Sequence, residues 1–228
     1  NCEFTNSSHT FYNPYHPSKA PYPNEGFPIN NIEYGYNIFK GSYGGDILNM
    51  GAVDHSIWIH HNSFYDSGEE AVDIGGGYNI KVEYNFVSGS KVQGMKLHSQ
   101  FKPMTELLLR GNVITGCGGY GLALENISNA LVHNNTIIGN PTALFLGWLH
   151  ANGPLLSDFS NNTFSNNIIS GVLIGGIPDG VTYTYADGSK GTIKANEIWA
   201  DNYFNNNVFC LSPNFKDLTT LVRIIKWK

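Results

Sequence analysis

Ile57-Trp58-Ile59-His60-His61-Asn62-Ser63-Phe64 alternates apolar and polar residues, then places a single Asn at a break before another apolar residue. The same spacing returns as Ile80-x-Val82-x-x-Asn85-x-Val87, as Leu107-x-Leu109-x-x-Asn112-x-Ile114 and as Ala130-x-Val132-x-x-Asn135-x-Ile137. Successive Asn residues are separated by 23, 27 and 23 positions, and Asn162 followed by Phe164 extends the series by a further 27. A period in the twenties with two-residue alternation inside each unit, and no helix-length apolar face, marks stacked coils of short parallel strands. An Asn at the same interior corner of every coil is then expected to hydrogen-bond to its counterparts one rung, about 4.8 Å, above and below.

A second strand follows the same period: Leu48-Asn49-Met50, Val72-Asp73-Ile74, Met95-Lys96-Leu97, Leu122-Ala123-Leu124 and Leu144-Phe145-Leu146. The outer members of each triplet point inward and the middle one outward. The expectation is one all-β domain over 1–228, a right-handed parallel β-helix with loop insertions, with coils from about Asn30 to Phe209. Residues 9–28 carry five prolines among Tyr, His and Phe and read as a loop; 178–191 read as a protruding hairpin with Asp187-Gly188 at its turn. Asn1-Cys2-Glu3-Phe4 resembles the tail of a repeat, so the solenoid is expected to be part of a longer one.

Low charge, many Gly and Asn and abundant aromatics favour β structure over helix. The net charge of −5 and only two arginines, Arg110 and Arg223, speak against nucleic acid as a partner. No stretch has the character of a signal peptide or a membrane span. Cys2, Cys117 and Cys210 are many coils apart and are expected to be small buried thiols rather than disulfides.

Charge is scarce but grouped. Asp73 and Lys96 fall on neighbouring rungs of one outward column that also holds Asn49 and Ala123. Glu69, Glu70 and Asp73 put three carboxylates in five residues, and Asp46 sits one coil before Glu70. Such a group repels itself unless a hard cation such as Ca²⁺, with six to eight oxygen ligands, lies in it. Read as a solvated face, the same residues would contribute only a surface Asp73–Lys96 pair. His98 and Glu125 hold equivalent places one coil apart beside this group and suit substrate binding. On another wall Glu83 and Arg110 hold equivalent places, flanked by His60 and His133, which are too far apart to share a metal and are expected to be exposed. Phe11, Tyr12, Tyr15 and Tyr22 either stack on sugar rings or pack the loop onto the solenoid.

From Asp46 to Ile138 these residues resemble the family 9 polysaccharide lyases, whose best-known members are pectate lyases. The resemblance rests on Glu69-Glu70-x-x-Asp73, on Asp46 one coil earlier and on Gly94-Met95-Lys96-Leu97 one coil later, with Glu-Glu-Ala-Val-Asp standing where the family usually has Asp-Asp-Gly-aromatic-Asp. It implies a right-handed parallel β-helix that cleaves an acidic polysaccharide by β-elimination. It implies that Asp46, Glu69, Glu70 and Asp73 hold Ca²⁺ and that Lys96 is the general base. From their places beside that group His98, Glu125 and Asn49 are expected to contact substrate, and the protein is expected to be secreted or at the cell surface. Two other readings stand beside it: a glycosidase using paired carboxylates from Glu69, Glu70 and Asp73, although no Gly-His-Gly or Arg-x-Lys arrangement accompanies them, and a non-catalytic surface, fibre or adhesion module. The sugar and the oligomeric state are not legible in the sequence.

Overall fold

The computed structural model describes residues 2–7, 29–50, 53–99, 103–147, 159–174, 182–184, 190–192, 201–210 and 226–227. Within them the chain is all-β, a right-handed parallel β-helix of three stacked sheets. One coil shows the plan: Val53–His60 lies in a nine-stranded sheet, Ser63–Ser67 in an eight-stranded sheet and Val72–Ile74 in a six-stranded sheet, after which Gly77–Glu83 begins the next coil. The 9–28 loop and the tip of the 178–191 segment lie outside the described residues. Of the latter, Thr182–Thr184 pairs antiparallel with Lys190–Thr192. No helix of the described residues is long and apolar enough to cross a membrane.

The inward columns are apolar and almost fully buried, from Ile57, Ile59 and Phe64 through Val82, Leu109 and Val132. Phe39 stacks on Phe64 at 5.1 Å and Phe164 on Phe204 at 4.3 Å, rung on rung. Three columns of left-handed residues turn the coil. One is Asn31, Ser56, Asn79, Glu106 and Asn129; the next is Tyr36, His61, Tyr84, Gly111 and Asn134; the third is Asn6, Gly41, Asp66, Gly89, Gly116 and Gly139. Each corner thus falls at a fixed offset from the ladder Asn, which is why Asn, Asp and Gly recur there.

The ladder itself runs Asn37, Asn62, Asn85, Asn112, Asn135, Asn167 and Asn207. From Asn62 onward each side-chain oxygen accepts both the backbone N–H and the Nδ2 of the preceding Asn, with N···O distances of 2.9–3.2 Å, and Asn37 Oδ1 accepts the Cys2 N–H. The expected place of Asn162 in this series is corrected: Val132 is in register with Phe164, so the next ladder residue is Asn167. Asn162 instead belongs to a second ladder, accepting from the Ala130 N–H and donating to Asn202. The step from Asn135 to Asn167 is 32 residues, nine longer than the step before it, and Asn162, at the corner that Ala130 occupies one coil earlier, falls 27 after Asn135, a step the ladder also takes.

Glu83 and Arg110 are opposite one another, as their spacing predicts, with Arg110 Nη2 2.5 Å from Glu83 Oε1. Glu83 is buried, however, so the pair is not a weak surface contact, and removing Arg110 would strand a buried charge. His60 is also buried rather than exposed, with Nε2 2.9 Å from Glu33 Oε1. Cys117 is buried, whereas Cys2 and Cys210 are exposed; all three are free thiols.

The ladder predicts a gradient of mutational cost. Asn112→Ala removes the acceptor of the Asn85 N–H and the donor to the Val82 carbonyl, a loss of about 2–4 kcal/mol in a dry interior. Asn37→Ala, at the half-buried end of the ladder, is expected to cost roughly 1 kcal/mol or less. Urea unfolding of both variants checks the ordering.

Candidate functional site

The six-stranded sheet places Asn49, Asp73, Lys96, Ala123 and Phe145 on five consecutive rungs. The column two residues further on holds His98, Glu125 and Gly147. Register alone therefore brings most of the expected residues together. Asp46 and Glu70 join them from the turns that precede their strands. These turns are built alike: Ser42 and Ser67 are fully buried, and each hydroxyl donates to backbone carbonyls, Ser42 to Asp46 O at 2.9 Å and Ser67 to Glu70 O at 2.5 Å. Gly68 is required there, since a Cβ would lie 2.6 Å from the Tyr43 carbonyl oxygen.

Asp46 is clamped from two sides. Its Oδ1 accepts the Glu70 N–H at 2.9 Å and its Oδ2 accepts Asn49 Nδ2 at 2.6 Å. Asp73 Oδ1 is 2.7 Å from His98 Nε2, and His98 is almost entirely buried. One oxygen from each of Asp46, Glu70 and Asp73 lies within 4.8 Å of the others. Ca²⁺–oxygen distances of about 2.3–2.6 Å let one cation touch oxygens separated by that much, so the three carboxylates fit a hard divalent ion. Glu69 is not among them. It is exposed in the bend after Ser67, while Glu70 is buried and takes the inner side.

Electrostatics mark the cost of this packing. Burial, a hydrogen bond with Asp46 and the charges of Asp46 and Asp73 push the Glu70 carboxyl up to about 9, with Lys96 opposing. Burial raises Glu125 as well, against the pull of Lys96 and His98. For Lys96 burial works downward, but the carboxylates of Asp73, Glu125, Glu70 and Asp46 outweigh it and hold the ammonium form more firmly than usual. Glu125 is 1% exposed, and neither of its carboxylate oxygens has a hydrogen-bond partner.

The outward column is more covered than alternation implies. Ala123 is fully buried and Phe145 is 3% exposed, its ring stacked on Tyr120 at 4.5 Å. Lys96 is half-buried, so it stands at the edge between an acidic end and an apolar end of the column. The clamping Asn49–Asp46 contact and the paired serines escaped the sequence reading, although Ser42 and Ser67 recur at 25 positions, close to the coil period. The aromatic residues of the 9–28 loop lie outside the described residues.

A family model described as right handed beta helix region matches residues 1–148 and, in a second overlapping alignment, residues 46–211. The chain belongs to that family. No curated protein and no solved structure matches it.

Glu70 predicts how the cation-free protein responds to pH. Its folded value, about 9, lies above the ordinary 4.5, so its contribution to stability is complete below about pH 4.5 and is lost as pH rises toward 9. In chelator, the melting temperature should fall across that window. Glu70→Gln, which stays neutral, should flatten the fall and melt higher than the parent above pH 7; calorimetry in a pH series reads both.

Proposed function

We propose that this member of the right-handed β-helix family is a polysaccharide lyase that cleaves a uronate-containing polysaccharide by cation-assisted β-elimination. The observation that carries the reading is the convergence of Asp46, Glu70 and Asp73 oxygens within 4.8 Å, with Lys96 on the rung after Asp73. Ca²⁺ bound by these three residues would offset two of their three charges when all are ionised, and would polarise a coordinated sugar carboxylate. Glu69 is outside this set.

The elimination asks for a base at the carbon next to the uronic carboxylate. Lys96 Nζ would take that proton; the C–H electron pair becomes the new C=C bond as the bond to the glycosidic oxygen breaks, and the leaving oxygen is protonated from solvent. Lys96 must first be neutral. The carboxylates around it hold it charged; a cation on Asp46, Glu70 and Asp73 would weaken that hold and leave Glu125 as the carboxylate outside the metal set. Asn49 fixes Asp46, and His98 fixes Asp73. His98 and Glu125 lie in the column beside Lys96 and are almost fully buried, so they would shape the site from below. The oxygens of Asp46, Glu70 and Asp73 lie within 4.8 Å of one another, closer than the roughly 6.5–9.5 Å an inverting glycosidase keeps between acid and base, which favours elimination over an inverting pair drawn from these three.

Incubation with a panel of polyuronates, with and without Ca²⁺, should yield an unsaturated product absorbing in the ultraviolet only when the cation is present. Lys96→Ala should lower turnover by about 10³-fold or more at unchanged fold, and Lys96→Arg should do nearly the same because guanidinium stays protonated. Silence of the parent chain on every polyuronate would replace the lyase with a non-catalytic module.

Binding has its own readout. Ca²⁺ should raise the melting temperature at pH 7 by mass action on the folded state, and Glu70→Gln should lose most of that response. Equal midpoints with cation and with chelator would remove the metal from the reading.

A further inference from the structure

Trp58 lies on the nine-stranded wall, away from the Lys96 strand, and is 40% exposed. It is nevertheless immobilised. Its Nε1–H donates to Glu83 Oε2 at 2.8 Å, and the Glu83 carboxylate is buried and held by Arg110. Its ring stacks on buried His60 with centroids 3.9 Å apart. An exposed indole whose rotamer is already fixed loses little entropy on binding a ligand.

Trp58 borders a shallow depression of about 110 Å³, lined also by Ser56, Ile57, Asn79 and Lys81. Asn79 Nδ2 donates to Ser56 Oγ at 3.0 Å, and both side chains keep further donor and acceptor capacity. Lys81 is the rung neighbour of Trp58 and is exposed. Among the described residues no carboxylate lies within ion-pair distance of it. On a chain of net charge −5 this is a cation set beside a rigid aromatic surface and an amide–hydroxyl pair. A uronic acid ring presents the matching groups: an apolar C–H face, a rim of hydroxyls and one carboxylate.

We propose that the Trp58 depression is an anchoring subsite for one uronate residue of a polysaccharide, with the ring on Trp58, the hydroxyls toward Ser56 and Asn79, and the carboxylate on Lys81. The choice of an acidic sugar rests on the lyase reading, whereas the site is on a different wall and needs no cation.

The test is calorimetric titration of the full chain carrying Lys96→Ala, in chelator, with saturated tetragalacturonate and tetramannuronate, and with cellotetraose as the neutral control. At least one uronate tetramer should bind. Trp58→Ala should weaken binding about tenfold or more, Trp58→Phe should recover most of it, and Lys81→Gln should weaken it and remove its salt dependence; circular dichroism checks that each variant is folded. Binding unchanged in Trp58→Ala and Lys81→Gln, equal binding of cellotetraose, or no binding at all overturns the subsite. Elimination by the parent chain alongside unchanged Trp58→Ala binding would sink the subsite and leave the lyase; binding lost with Trp58 in a chain that eliminates nothing would do the reverse.

Discussion

Seven Asn side chains, from Asn37 to Asn207, fix the spacing on which everything else in this molecule depends. A coil that turns a corner exposes backbone groups that the sheets cannot pair, and in the interior each such group costs about 1–3 kcal/mol if left alone. Each Asn meets the need twice, accepting from the coil before and donating to a carbonyl such as Ile59 O or Val82 O. Since the amides are identical, they can repeat only where the coils stack in strict register. The ladder therefore sets the rung height as well as the corner.

That rung height has a chemical use. Strands in a sheet are about 4.8 Å apart, close to twice a calcium–oxygen distance. Carboxylates on successive coils are thus delivered at the separation one hard cation bridges, with no special loop needed to aim them. Asp46 and Glu70 use it directly, one coil apart, and Asp73 joins from the strand that follows Glu70. On the next coil Gln93, buried at the place equivalent to Glu70, ends the acidic column. Lys96 follows there, so the sign of the wall changes between one rung and the next.

The solenoid was legible because its signal is periodic. Apolar alternation and the recurring Asn place the columns, and columns are what the sheets pair; the Asn49–Asp73–Lys96–Ala123 rungs follow from arithmetic alone. Where the period stretches, arithmetic fails, as at Asn162 and Asn167, since two corner amides in one lengthened coil are equivalent on paper and only the pairing of Val132 with Phe164 separates them. Exposure was less legible than register. Alternation tells which way a side chain leaves the sheet, not what lies over it, so His60, Glu83 and Phe145 point outward and are still buried. Glu69 shows the complementary limit: two adjacent acids read as one cluster, but in the turn that carries them Glu70 is buried and Glu69 is exposed.

The two surfaces proposed as functional differ in how their charge is balanced, and the proposed ligands differ with it. On the wall of Asp46, Glu70 and Asp73, carboxylates crowd together, Glu70 escapes its charge only by keeping a proton, and Lys96 is bound into the same field. A multiply charged cation would relieve that crowding, which is why the proposed ligand of this wall is a metal. On the wall of Trp58 the charges are already matched. Glu83 is satisfied by Arg110 and by the indole N–H, and His60 by Glu33. That network adds rigidity rather than attraction, and the attraction is left to Lys81 and the exposed ring. On the proposed reading a flexible acidic chain would gain from both surfaces, the first being where a proton would be removed and the second where the chain would be held.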